Sequence, residues 1–191
     1  MMRHRRVVAA CASVLLVAGC SGGESEYDYA IPSEVCDVAV AQQDVKPLLP
    51  PGKSVKEDSS ESLSRPGERK SCSIVVDEGV DLTVSLSRQW GDLDIVEEAA
   101  DKYIGLKRVD LGGGFTSAGV GDDGAVAWAA CKPKANQRQY EFPETQSGRY
   151  DALALEIRVG NEKPADVGEW RERIENFLRA YVPGMVQAWC A

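Results

Sequence analysis

SCSIVVDEGVDLTVSLS, residues 71–87, alternates apolar and polar side chains on either side of a turn. Cys72, Ile74 and Val76 fall on one face of the first strand, and a Glu78-Gly79 turn follows. Leu82, Val84 and Leu86 continue that apolar face on the second strand, with Thr83, Ser85 and Ser87 opposite. A period of two with one wet face is the signature of an antiparallel hairpin lying on a core. Beyond it, Asp92 or Asp94 can cap a helix whose Val96, Ala99, Ala100, Tyr103 and Ile104 recur at helical spacing.

The second half repeats this order. Ala125, Ala127, Ala129 and Cys131 alternate with Val126 and Trp128, a run apolar on both faces that suits an inner strand. Leu153, Leu155, Ile157 and Val159 give another strand. Ala165–Val182 is the strongest helix, with Val167, Trp170, Ile174, Phe177, Leu178 and Tyr181 in one stripe and Pro183-Gly184 as its stop. Upstream, Ser33 can cap a turn through Cys36, and Val45, Leu48 and Leu49 make a short apolar face. Lys53–Lys70 reads as a polar surface loop. The expectation is an α+β domain over residues 34–191: an antiparallel sheet with helices packed on one face and a duplicated ββα pattern.

Residues 1–19 hold Arg3, Arg5 and Arg6, no acid, and an apolar stretch from Val7 to Ala18. About a dozen residues is short for a mature membrane helix, which needs about 20, and fits a signal peptide. Val17-Ala18-Gly19-Cys20 resembles the bacterial lipobox. The resemblance implies that Cys20 becomes the first mature residue and carries palmitate-class acyl chains. Residues 20–33 then read as the lipidated Cys and a flexible tether. The expected location is the extracytoplasmic face of the cell membrane.

The chain has 22 Lys+Arg, 30 Asp+Glu and a formal charge of −8 over 191 residues. Without the three arginines of residues 1–19, 19 bases face 30 acids and the charge becomes −11. An acidic surface argues against nucleic acid. The single histidine, His4, lies in the same N-terminal stretch, so the rest of the chain has no imidazole for Ser–His or Cys–His nucleophile pairs.

Of six cysteines, Cys11 lies in the signal stretch and Cys20 in the lipobox, leaving Cys36, Cys72, Cys131 and Cys190. An even remainder in an exported domain points to disulfides. Three connectivities satisfy the count. Joining each strand cysteine to the layer that covers its own half favours Cys36–Cys72 and Cys131–Cys190. A Cys72–Cys131 bridge stays open if those strands are neighbours.

An early Cys in a short helical segment, a Cys opening a hairpin, and Gly119-Val120-Gly121-Asp122-Asp123-Gly124-Ala125 before a strand resemble a large group of actinobacterial envelope lipoproteins. Gly124 is an extra residue against that pattern, and Val38 and Ala39 stand where leucines are usual. The resemblance implies an envelope lipoprotein with no assigned activity.

The same glycine run formally satisfies G-x-G-x-x-G. A dinucleotide site needs a following helix and no competing charge, whereas here a strand follows and two aspartates sit inside. A tight turn is the expected role. Asp77, Glu78 and Asp81 around the first hairpin do not match a Ca²⁺ loop, so neither metal nor cofactor is expected. The long segment Lys132–Tyr150 carries Lys132, Lys134, Arg138, Tyr140 and Phe142, a mixed basic and aromatic set suited to ligand binding. The functional expectation is a non-enzymatic binding or envelope-complex accessory module. Its partners would be the membrane through the anchor and an envelope protein, wall polymer or small ligand. A carboxylate-based cell-wall hydrolase is the alternative, since such chemistry needs no histidine.

Overall fold

The computed structural model describes residues 27–61, 69–112, 115–132, 150–160 and 165–191, with the side chain of Glu61 excepted. Residues 1–19, the expected lipid-attachment residue Cys20 and the first part of the expected tether lie outside them. The described chain forms a small hairpin, β1 (Glu34–Val35) and β2 (Val38–Ala39), then α1 (Gln42–Val45) and a 3-10 turn (Lys46–Leu48). Next come β3 (Val55–Glu61), β4 (Arg69–Val76), β5 (Gly79–Gln89) and α2 (Ile95–Glu98). The last group is β6 (Lys107–Arg108), β7 (Phe115–Val120), β8 (Gly124–Ala130), β9 (Ala152–Val159) and α3 (Val167–Trp189). The fold is α+β, with one antiparallel sheet of seven strands in the order β3-β4-β5-β9-β8-β7-β6.

The predicted duplication is present in the strands, with one more strand per half. Meanders β3-β4-β5 and β7-β8-β9 meet at the antiparallel β5–β9 pair. Taking the facing residues Ser85 and Glu156 as a centre, a two-fold turn brings Cys72 onto Ala127, Leu82 onto Leu153 and Ser73 onto Trp128. Both extra strands escaped the sequence pattern. β3 is the edge strand Val-Lys-Glu-Asp-Ser-Ser-Glu, read above as surface loop; charges on an edge strand deter pairing with another chain. β7 is built mostly of small residues.

The helices do not share one face, which corrects the expected layering. Ala125, Ala127 and Ala129 join the main core with Cys72, Ile74, Leu82, Val84, Leu86 and the α3 stripe. Val126 and Trp128 point the other way and pack with Ile95, Val96, Ala99 and Tyr103 of α2 and its following turns. Two apolar faces on β8 require two covers, and α2 supplies the second.

α3 starts at an Asp166 cap whose Oδ1 accepts from the amides of Gly168 (2.8 Å) and Glu169 (3.0 Å). Trp170, Ile174, Phe177, Leu178, Tyr181, Val182 and Met185 are its buried face, while Val167 is exposed. Pro183-Gly184 does not end the helix. Met185 continues the stripe, and a Cβ on Gly184 would meet Val38 Cγ1 at 2.9 Å, so that glycine gives β2 its seat. The Cys131–Cys190 bond closes the helix end onto β8.

Cys36 sits in the β1–β2 turn, not in a helical segment. Cys36 and Asp37 have φ of 55° and 60°, and Cys36 is bonded to Cys72. The hairpin is held from above by Tyr181, whose hydroxyl donates to Val35 O at 3.1 Å. Lys70, otherwise buried, is paired with Asp37. Both disulfides are those favoured from the sequence.

Residues from Tyr27 onward, expected to belong to a tether, pack on the domain instead. Tyr27 and Tyr29 donate to Leu49 O (3.0 Å) and Pro50 O (2.5 Å), and Asp28 N donates to Gly52 O (2.9 Å). Tyr29 and Ile31 pack against the main core, and Lys46 Nζ lies 4.8 Å from the centre of the Tyr27 ring. The domain therefore includes Tyr27 onward.

Candidate functional site

The sheet has two unlike ends. At the turn end, β3, β5 and β8 begin while β4, β7 and β9 finish; at the loop end the reverse holds. The turn end holds the hairpin acids and the glycine run; the carboxylates of Asp77, Asp81 and Asp123 accept from backbone amides, and that of Asp122 from Arg171. The β4–β5 turn is Asp77-Glu78, both at positive φ (45° and 76°), one residue earlier than expected. Asp77 carboxylate oxygens accept from Lys53 N (2.9 Å) and Ser54 N (2.9 Å), and these amides hold its pKa below the ordinary aspartate range.

In the glycine run, Asp122 Oδ1 accepts from Arg171 Nε at 2.5 Å and Asp122 O from Trp170 Nε1 at 3.1 Å. Asp123 Oδ1 accepts from Ile104 N at 2.8 Å. Gly124, at φ 156°, lies so close to Ile157 O and Tyr103 that no side chain fits. The loop is a tight turn, as expected, that pins α3 and the segment after α2 to the sheet. Among the described residues no group of three or more His, Cys, Asp or Glu could hold a metal.

The flank of the sheet carries a cleft of about 370 Å³ along β6 and β7, lined by Arg108, Asp110, Leu111, Phe115 and Thr116 among others. Arg108 is spoken for: its Nη2 meets Asp94 Oδ2 at 2.6 Å. Asp94 also caps α2 through Val96 N and Glu97 N and accepts from Ser117 Oγ at 3.1 Å. The arginine is the main reason its pKa falls to about 2. Asp77, Asp94 and Asp122 are thus bound to backbone amides or arginines, and Asp110 on the cleft accepts from Gly112 N at 2.8 Å.

The loop end differs. Cys131 N donates to Asp151 O (2.7 Å), Asp151 N to Gln89 O (3.1 Å), and Ala191 N to Lys132 O (2.7 Å). With the Cys131–Cys190 bond these close a stem from which residues 133–149 leave and return. Arg88 lies within it, its guanidinium 4.8 Å from the Tyr150 ring centre and 5.1 Å from that of Trp189. Such cation–π stacks are worth about 0.5–2 kcal/mol. Tyr150 hydroxyl donates to Trp189 O at 3.0 Å, and burial pushes its pKa up against the opposing pull of Arg88. Among the described residues, Arg88 Nε is buried without a hydrogen-bond partner. Close by, Gly91 N donates to Asp151 Oδ1 (2.8 Å), and Trp90 and Leu93 are exposed.

Of the sequence-chosen ligand residues, Lys132 stands exposed on this stem; Lys134, Arg138, Tyr140 and Phe142 lie outside the described residues. The sequence pattern does not single out Arg88 and Trp189, which join Tyr150 here. The available signal was Arg88 itself, a charge at the inward position that follows Leu82, Val84 and Leu86. No helix among the described residues is long and apolar enough to cross a membrane. Neither a protein-family model, nor a curated protein, nor a solved structure matches this chain.

Proposed function

We propose that this chain is a lipid-anchored, extracytoplasmic binding or accessory module that engages an envelope protein, wall polymer or small ligand through its loop end. The observation that supports this reading most is the braced stem: a disulfide, three backbone hydrogen bonds and the Tyr150–Arg88–Trp189 stack steady the base of a long basic and aromatic segment. Loops on rigid scaffolds are where binding residues concentrate. The lipobox at Cys20 and the two disulfides of an exported domain support the location.

The test is to replace residues 133–149 by a two-residue turn in the intact lipoprotein, since Ala130 and Ala152 are already paired. Photo-crosslinking from Lys132 in native membranes, and co-sedimentation with purified wall polymer, are compared with the parent chain. The reading expects a specific partner that disappears with the segment while both disulfides remain. Unchanged capture would remove the loop end from the function.

A further inference from the structure

The docked tyrosines have a consequence for how the molecule stands. We propose that the domain is held with its turn end toward the bilayer and its loop end outermost, so that the Lys132–Tyr150 stem is presented away from the membrane. The proposal rests on the reading that Cys20 carries the lipid.

Tyr27, Asp28 and Tyr29 are bonded to Leu49, Gly52 and Pro50, which lead directly into β3 at the turn end. The link from Cys20 to Tyr27 is seven residues, at most about 25 Å when fully extended. The eight residues of β4 run about 25 Å from the turn end to the loop end. Inverting the domain would lift Tyr27 by that length plus the loops, and would need the link to run taut around the outside. The upright arrangement needs no extension at all. A charge of −11 beyond residue 19 repels the domain from anionic lipid and disfavours lying flat, whereas the choice between the two ends rests on the length of the link. The membrane-facing groups are then Lys46, Lys53, Asp77 and Glu78, whereas Arg88, Lys132, Tyr150 and Trp189 lie at the far end.

Energy transfer measures this. Acylated protein is reconstituted into phosphatidylcholine vesicles containing phosphatidylglycerol and a headgroup-labelled acceptor lipid. A donor is placed at Lys53→Cys or at Asp92→Cys, both exposed, one beside β3 at the turn end and one just past β5 at the loop end. Transfer from position 53 should exceed that from position 92 by roughly twofold or more, given a separation of about one strand length. A Gly/Ser insertion before Glu26 should shrink the difference, because a longer link frees the domain to tumble. Equal transfer from the two sites, or more from position 92, overturns the proposed polarity. Mass spectrometry of the N-terminal peptide separates the two failures: protein whose Cys20 lacks acyl mass overturns the anchor reading, and the polarity with it.

Discussion

The two meanders have the same strand order but opposite clothing. On the face that α2 covers, Val126, Trp128 and Ala154 of the second half correspond under the two-fold to Ser71, Ser73 and Thr83 of the first. The serine and threonine hydroxyls pair with one another, Ser71 with Ser85 at 2.9 Å and Ser73 with Thr83 at 3.0 Å, and need no cover. The apolar set must be covered, and α2 packs there. On the other face, Cys72 and Ile74 correspond to Ala127 and Ala129, and α3 lies across β7 and β8 where the side chains are small. Side-chain size and polarity on each face, not strand order, decide which helix settles where.

The largest test breaks that contrast directly. Trp128→Ala should cost about 3–5 kcal/mol in urea unfolding by opening a cavity beneath α2, while Ser73→Ala at the matching position should cost about 1 kcal/mol or less. Comparable losses would mean that the wet face is covered after all. The disulfides come next. Their sequence separations of 36 and 59 residues imply about 4 kcal/mol each from chain entropy, so the two double Cys→Ala variants should lose similar stability. They should differ in place: without Cys131–Cys190, hydrogen exchange should rise at the end of α3 beyond Pro183; without Cys36–Cys72 it should rise in β1 and β2. A smaller effect is expected at Arg88, which occupies the place Val159 fills in the other half. Arg88→Ala should cost about 1–2 kcal/mol and change the fluorescence of Trp189, because the cation leaves both rings. No spectral change would remove Arg88 from the stem.

How much of this was legible depends on whether burial writes a period. The β4–β5 hairpin, β8, β9 and most of α3 bury alternating or helical stripes, and the sequence shows them. β3 buries little: Val55, Glu57 and Ser59 face Val76, Ile74 and Cys72, so its inward positions carry no apolar repeat. The single turn of α2 was legible through Asp94 and Val96, but its side of the sheet was not, because that depends on which strands become neighbours. Pro183 misled for a similar reason: a local stop signal lost to Met185, Gly184 against β2, and the bond at Cys190. At the loop end, Lys132 and Tyr150 were legible as the limits of a long segment. The Arg88 stack was not, since its three members come from residues 88, 150 and 189.

The smallest effect isolates α2 from α3. Both helices are capped by an aspartate, yet only Asp94 also holds the neighbouring strands, through Arg108 and Ser117. Its folded pKa of about 2 lies below the ordinary value of 3.8, so its contribution to stability is present above 3.8 and is lost as pH falls through 2. Protonation removes the charge from the Arg108 pair and weakens the acceptor for the α2 amides together. Hydrogen exchange measured from pH 4 down to 2 should therefore show protection lost at residues 95–99 before the buried stripe of α3, after correction for the intrinsic exchange rate. In Asp94→Asn the α2 amides should be weakly protected throughout and no longer respond to pH in that window. Equal loss in both helices of the parent chain would mean that acid opens the whole core at once, and that the three-way bond of Asp94 does not set the stability of the second cover.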